Sequence, residues 1–150
     1  MKNFILTLSF ILATAGITKV LANGTPDDPR TKETFAQKFA GAENIKWSKL
    51  ADGFEKVAFT LGGTRAEAYF SNDGELLGTV RNIFYSQLPL PVMQTVSSRF
   101  VNSPIIEVKE INNSEGVSYR VILEHKDKKY NLKLNSQGDI VEQQKEKIKK

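Results

Sequence analysis

The chain reads as an α+β fold made of two tandem repeats, each with one helix packed on a four-stranded antiparallel sheet. Three observations lead there. Apolar residues recur at helical spacing in two places, Phe35, Ala36, Phe39 and Ala40, then Val92, Met93, Val96 and Phe100. Each stripe is followed by four runs in which apolar and polar residues alternate, the period of a half-buried strand. The apolar phase of the two halves also matches. Phe39, Ile45 and Trp47 precede Phe100, Ile106 and Val108 by 61 residues; Val57, Phe59, Ala68, Phe70 and Gly74 precede Val121, Leu123, Leu132, Leu134 and Gly138 by 64.

The first helix is expected over 31–40, with Thr31 capping its start and Gly41 past its end. Ile45 and Trp47 alternate with Lys46 and Ser48 in a first strand, and Ala51-Asp52-Gly53 turns the chain. Val57, Phe59 and Leu61 form the next run, and Gly62-Gly63 is a two-residue hairpin signal. Ala66, Ala68 and Phe70 then alternate against Arg65, Glu67 and Tyr69, and Asn72-Asp73-Gly74 leads into a strand over Leu76–Ile83. Pro89 and Pro91 open a second helix over 91–101, where a missing N–H has no partner to lose. Four more strands follow, around Ile106, Tyr119, Tyr130 and Ile140. The expected cores hold Phe35, Phe39, Trp47, Val57, Phe59 and Phe70 in the first half. In the second they hold Val96, Phe100, Val108, Val121, Leu123, Leu132 and Leu134.

The N-terminal segment is a targeting signal. Met1-Lys2-Asn3 precedes the apolar run Phe4–Ala13, which is too short for the roughly 20 residues of a spanning helix. Val20-Leu21-Ala22 places cleavage before Asn23, with Ala13-Thr14-Ala15 as the second choice. The expected layout is a signal peptide over 1–22, a flexible leader over 23–30, repeats over 31–87 and 88–143, and a lysine-rich tail over 144–150. No membrane span remains after cleavage, and the destination is the periplasm or the exterior.

Composition narrows the chemistry. The 150 residues include no cysteine, which excludes a disulfide framework, a thiolate nucleophile and a thiolate metal site. Removing Lys2 and Lys19 with the signal lowers the net charge from +4 to +2, too little for a nucleic-acid-binding face. The single histidine, His125, lies beside the Lys126-Asp127 turn and reads as a solvated turn residue. Asn72-Asp73-Gly74-Glu75 lacks the spaced oxygen ligands of a calcium loop, and Gly62-Gly63 lacks the helix and lysine of a phosphate loop. No catalytic residue, metal or cofactor is assigned.

Phe35-Ala36-Gln37-Lys38-Phe39, Ala42-Glu43-Asn44-Ile45-Lys46-Trp47, Gly53–Phe59 and Ala66–Leu76, with the Leu88-Pro89-Leu90-Pro91 link, resemble the PepSY-like, β-lactamase-inhibitor-like family of exported bacterial proteins. The resemblance covers essentially the whole chain after the signal. It implies helix-plus-four-strand repeats, a periplasmic or secreted location and no known activity. It does not carry over inhibition of a β-lactamase, since the inhibitor's disulfides have no counterpart here.

If the apolar phase faces the helices, Lys46, Lys56, Arg65, Tyr69, Arg120, Lys129 and Lys133 share the other side of the sheet, and Lys109 shares their phase. A solvated charged surface is the plain reading. The sharper one is a basic, aromatic-bearing contact face for an acidic protein partner. The function expected is therefore a non-enzymatic, exported binding or inhibitor-like protein. A PepSY-type regulator that restrains an envelope or secreted protease is the alternative.

Overall fold

The structure, a computed structural model, describes residues 24–51 and 53–148. The expected signal peptide, its cleavage site at Asn23, the turn residue Asp52 and the last two residues lie outside the described residues. The chain runs α1 (Pro29–Lys38), β1 (Glu43–Lys49), β2 (Glu55–Leu61), β3 (Thr64–Phe70), β4 (Leu76–Asn82), a single 3-10 turn (Tyr85–Gln87), α2 (Leu90–Arg99), β5 (Ile105–Asn113), β6 (Gly116–His125), β7 (Lys128–Asn135) and β8 (Ile140–Lys147).

Helix α1 begins earlier than the Thr31 cap predicts. Asp28 is the N-cap: its carboxylate accepts the Arg30 N–H at 2.8 Å, and Pro29 fills the first helical position. Thr31 is instead buried inside the first turn. The helix ends where the Phe39 N–H donates to the Phe35 carbonyl, and Gly41 turns the chain with a φ of 84°.

The expected architecture of two four-stranded sheets is corrected. The strands form one eight-stranded antiparallel meander in the order β1 to β8. The join is β4 with β5, where Gly78, Thr79, Val80, Arg81 and Asn82 pair with Asn113, Asn112, Ile111, Glu110 and Lys109. The physical reason lies in how each face of that seam is filled.

On one face, two separate apolar cores lie under the helices. Phe35 of α1 packs with Val57, Phe59, Ala68 and Phe70, with Phe39 and Trp47 at the margin. Val92, Val96 and Phe100 pack with Val108, Val121, Leu123, Leu132 and Leu134. Between these cores the β4–β5 seam carries Thr79, Arg81, Glu110 and Asn112, all polar. Arg81 grips Glu110 across it, with Nε–Oε1 at 2.8 Å and Nη2–Oε2 at 3.2 Å. On the opposite face the same seam has an apolar centre, flanked by the pairs Gly78–Asn113 and Asn82–Lys109. Val80 and Ile111 are cross-strand neighbours and are buried with Tyr69, with Leu50 and Leu77 against them. This third cluster lets β4 and β5 zip into one sheet, and the helix-facing pattern alone does not encode it.

Irregular registers also move side chains. An extra residue interrupts β1 between Glu43 and Lys46 and β5 between Ile105 and Glu107. Ile45 and Ile106 therefore stand 44% and 51% exposed instead of pointing into the cores. The segment from 144 continues β8 as far as Lys147.

Candidate functional site

Neither helix contributes to the cluster on the second sheet face, which is the candidate site. The register carries one set of alternating positions across the strands: Lys46 and Ser48 on β1, Lys56 on β2, Arg65, Glu67 and Tyr69 on β3, Val80 and Asn82 on β4. It continues with Glu107, Lys109 and Ile111 on β5, Arg120 and Ile122 on β6, and Lys129, Asn131 and Lys133 on β7. All seven residues singled out in the sequence thus occupy the same side of the sheet.

They do not share one environment. Lys46 and Arg65 are exposed, and Lys56, Lys129 and Lys133 are half-buried. Tyr69 and Arg120, expected on an open surface, are 6% and 4% exposed. Tyr69 is buried because it closes on Val80 and Ile111, and its hydroxyl donates to Glu67 Oε2 at 2.8 Å. Burial, then the negative charge of Glu67, pushes that hydroxyl well above the usual tyrosine range, so it stays a donor.

The register brings some of the seven together. Lys56 is directly opposite Tyr69, and Arg120 is directly opposite Lys133. It also brings in acids that temper the basic character. Lys56 pairs with Glu67 at 3.7 Å, Lys109 with Glu107 at 3.3 Å and Lys129 with Glu146 at 3.8 Å. Glu67 was visible in the sequence by phase. So was Glu107, which alternates with Val108 in phase with Lys109; Glu146 needs the β7–β8 register to meet Lys129.

Two grooves open on the face. One of 160 Å³ is lined by Arg65, Glu67, Val80, Asn82, Glu107 and Lys109. The other, of 130 Å³, is lined by Ile122, Lys129, Asn131, Gln144, Lys145 and Glu146. Arg65 and Asn82 also line a separate 280 Å³ hollow, together with Gly63, Arg81 and Phe84. Phe84 is 78% exposed, the most exposed large apolar side chain described. It sits in the link ahead of α2, where no strand or helix period marks it for burial or exposure.

The histidine belongs to the other side of the sheet. The expected solvated turn residue is half-buried, with Nδ1 2.7 Å from Ser103 Oγ and its ring edge-on to Phe100 at 5.7 Å. The Asn72-Asp73-Gly74-Glu75 segment is a hairpin turn in which Ser71 Oγ accepts the Glu75 N–H at 3.0 Å. Among the described residues no group of three or more His, Asp or Glu side chains could hold a metal ion, and no helix is long and apolar enough to cross a membrane.

No protein-family model matches the chain, and no curated protein matches it by sequence. Solved structures do match. A DUF2874 family protein from Bacteroides ovatus superposes with a TM-score of 0.74 at 20% identity, covering 82% of this chain and 89% of that one. A protein from Bacteroides eggerthii, described as a candidate periplasmic protein, gives 0.74 at 16% identity, covering 82% and 90%. A BLIP-like protein from Bacteroides fragilis gives 0.71 at 18% identity, covering 82% and 89%. At these identities the likeness is one of fold: the described chain has a BLIP-like fold.

Proposed function

We propose that this chain is an exported, non-enzymatic binding protein that docks a protein partner across its helix-free sheet face. The observation that carries the reading is the division of labour between the two faces. Both helices cover one face, and the other joins a small buried apolar centre to a rim of paired charges and two grooves. Tyr69, Val80 and Ile111 are already buried in the free chain, so what this face offers a partner is its charged, grooved surface, polar as the rims of protein–protein interfaces are. Phe84 adds an exposed aromatic anchor in the hollow that shares Arg65 and Asn82 with one groove.

Several lines support the rest of the reading. The apolar run and small-residue cleavage site of residues 1–22 are those of an export signal. One neighbour in fold is described as a candidate periplasmic protein and another as BLIP-like. The sole histidine is engaged by Ser103 and packed on Phe100 and Tyr130, on the side of the sheet away from the grooves. A PepSY-type restraint of a protease is one form such docking would take, with the protease as partner.

The test is crosslinked capture from envelope extract using the purified exported protein. Three variants are compared with it: Phe84→Ala, Arg65→Glu/Lys129→Glu, and Lys32→Glu on the exposed side of α1. Docking on this face predicts a specific partner lost or weakened in the first two and retained in the third. Equal capture by all four overturns the reading.

A further inference from the structure

Arg120 is a buried cation without a counter-charge among the described residues. It is 4% exposed, its Nη1–H donates to the uncharged Asn131 Oδ1 at 3.2 Å, and its Nε is buried with no hydrogen-bond partner. The strand register compounds this. Lys109 of β5 and Lys133 of β7 are its direct neighbours on either side, so three cationic side chains form one row across three strands. Like charges placed directly opposite destabilise a sheet. Glu107 answers Lys109 at 3.3 Å, and Glu142 is the cross-strand neighbour of Lys133, but among the described residues no carboxylate pairs with Arg120.

The protein's other paired arginines show what the vacant edge is suited to hold. Arg81 uses Nε and Nη2 together on the two oxygens of Glu110. Arg30 uses the same two atoms on Asp28. In both, the planar fork grips a carboxylate side-on. In Arg120 the opposite end of the guanidinium is spent on Asn131, which leaves that Nε edge without an acceptor.

We propose that Arg120, flanked by Lys109 and Lys133, anchors a binding site for one carboxylate group on the helix-free face. A carboxylate there supplies the acceptor that Nε lacks and the negative charge that the row lacks. Asn131 lines one groove and Lys109 the other, so Arg120 stands between the two hollows of the face. Access requires neighbouring side chains to part, and the two in register with it are lysines, whose stems are flexible. The source that fits is an Asp or Glu side chain of the docked protein, an assignment that rests on the docking reading above. A free small carboxylate is the other source of the same chemistry.

The test is NMR of the arginine Nε–Hε groups of the purified exported protein, titrated with sodium acetate. Sodium chloride at equal ionic strength and neutral acetamide serve as controls. One Hε resonance, assigned by its loss in Arg120→Lys, is expected to move and saturate with acetate alone. Lys109→Met/Lys133→Met, which keeps the fork, is expected to weaken that acetate response by about tenfold and keeps the proposal testable if Arg120→Lys fails to fold. No saturable movement, or equal movement with chloride, overturns the site. The capture experiment then separates the sources. Capture lost in Arg120→Lys and reduced by acetate assigns the carboxylate to the docked protein. Unchanged capture beside a saturating acetate response overturns that source in favour of a free small carboxylate. Absence of any partner for the wild type fails the docking reading and leaves the acetate result standing.

Discussion

Arg81 and Glu110 face each other across the β4–β5 junction and form a two-point ion pair at 2.8 and 3.2 Å. On the reverse of the same junction Val80 and Ile111 are 4% and 6% exposed. The two faces should contribute unequally. The Arg81 side chain is 53% exposed, so solvent screens the pair, and Arg81→Ala should cost no more than about 1 kcal/mol. Ile111→Ala removes buried methyl groups and should cost about 2–5 kcal/mol. Urea unfolding of both variants checks the order. A larger loss for Arg81→Ala would make the ion pair, not the apolar cluster, the seam's main bond.

The helix-facing cores should respond as ordinary interiors. Phe59 and Leu123 are 2% and 0% exposed, one in each core. Phe59→Ala should cost about 3–5 kcal/mol and Leu123→Ala about 2–5 kcal/mol by chemical denaturation. Losses under about 0.5 kcal/mol are those of surface substitutions and would contradict the packing described.

Gly74 and Gly138 should be irreplaceable for a reason that Gly63 does not share. All three have positive φ, at 84°, 87° and 78°. A Cβ on Gly74 would lie 2.9 Å from the Thr31 backbone nitrogen, and one on Gly138 would lie 2.5 Å from the Pro91 carbonyl oxygen, whereas Gly63 has nothing within 4 Å. Each of the two turns is thus pressed against the first turn of a helix. Gly63→Ala should cost about 1 kcal/mol from backbone conformation alone. Gly138→Ala should cost more, because clash adds to strain. Equal melting temperatures for the two variants would show that the close approach is not maintained in solution.

Acid should weaken the start of α1. The Arg30 side chain, then the Arg30 backbone N–H, holds the Asp28 carboxyl below its ordinary value. A carboxyl whose pKa is depressed by folding contributes stability above its unfolded pKa and loses it as pH falls through the folded one. Wild-type stability should therefore fall from about pH 4 downward. In Asp28→Asn that part of the fall should be absent, which thermal melts from pH 7 to pH 2 will show. Identical pH profiles would remove Asp28 from the account.

Tyr69 requires a gentler substitution than a surface residue would. Because it is buried with Val80 and Ile111, Tyr69→Ala should lower stability and binding together. Tyr69→Phe removes only the hydroxyl bonded to Glu67. It should leave the fold intact, costing about 0.5–1.5 kcal/mol. A partner affinity unchanged in Tyr69→Phe but lowered in Phe84→Ala would place the anchor at the exposed ring. The reverse pattern would place it at Tyr69.

The order of helices, strands and turns was readable from the chain itself, because it depends on short-range patterns. Phe35, Val57, Phe59 and Phe70, like Val121, Leu123, Leu132 and Leu134, declare their face by spacing alone. The same alternation put Lys46, Lys56, Arg65, Tyr69, Arg120, Lys129 and Lys133 on one side of the sheet, where the strand register places them. Ile45 and Ile106 follow the apolar alternation of Trp47 and Val108 along the chain, but an extra residue shifts them out of that phase without leaving a local mark. What only the tertiary structure decided was long-range. The pairing of β4 with β5 joins residues about thirty positions apart and makes one sheet of what reads as two. Val80 and Ile111 have meaning only once that pairing brings them together. The burial of Arg120 between Lys109 and Lys133 likewise depends on three strands meeting in one register. Within an uninterrupted strand, spacing fixes which way a side chain points, but the irregularities, the exposure and the neighbours are set by strands that arrive from elsewhere.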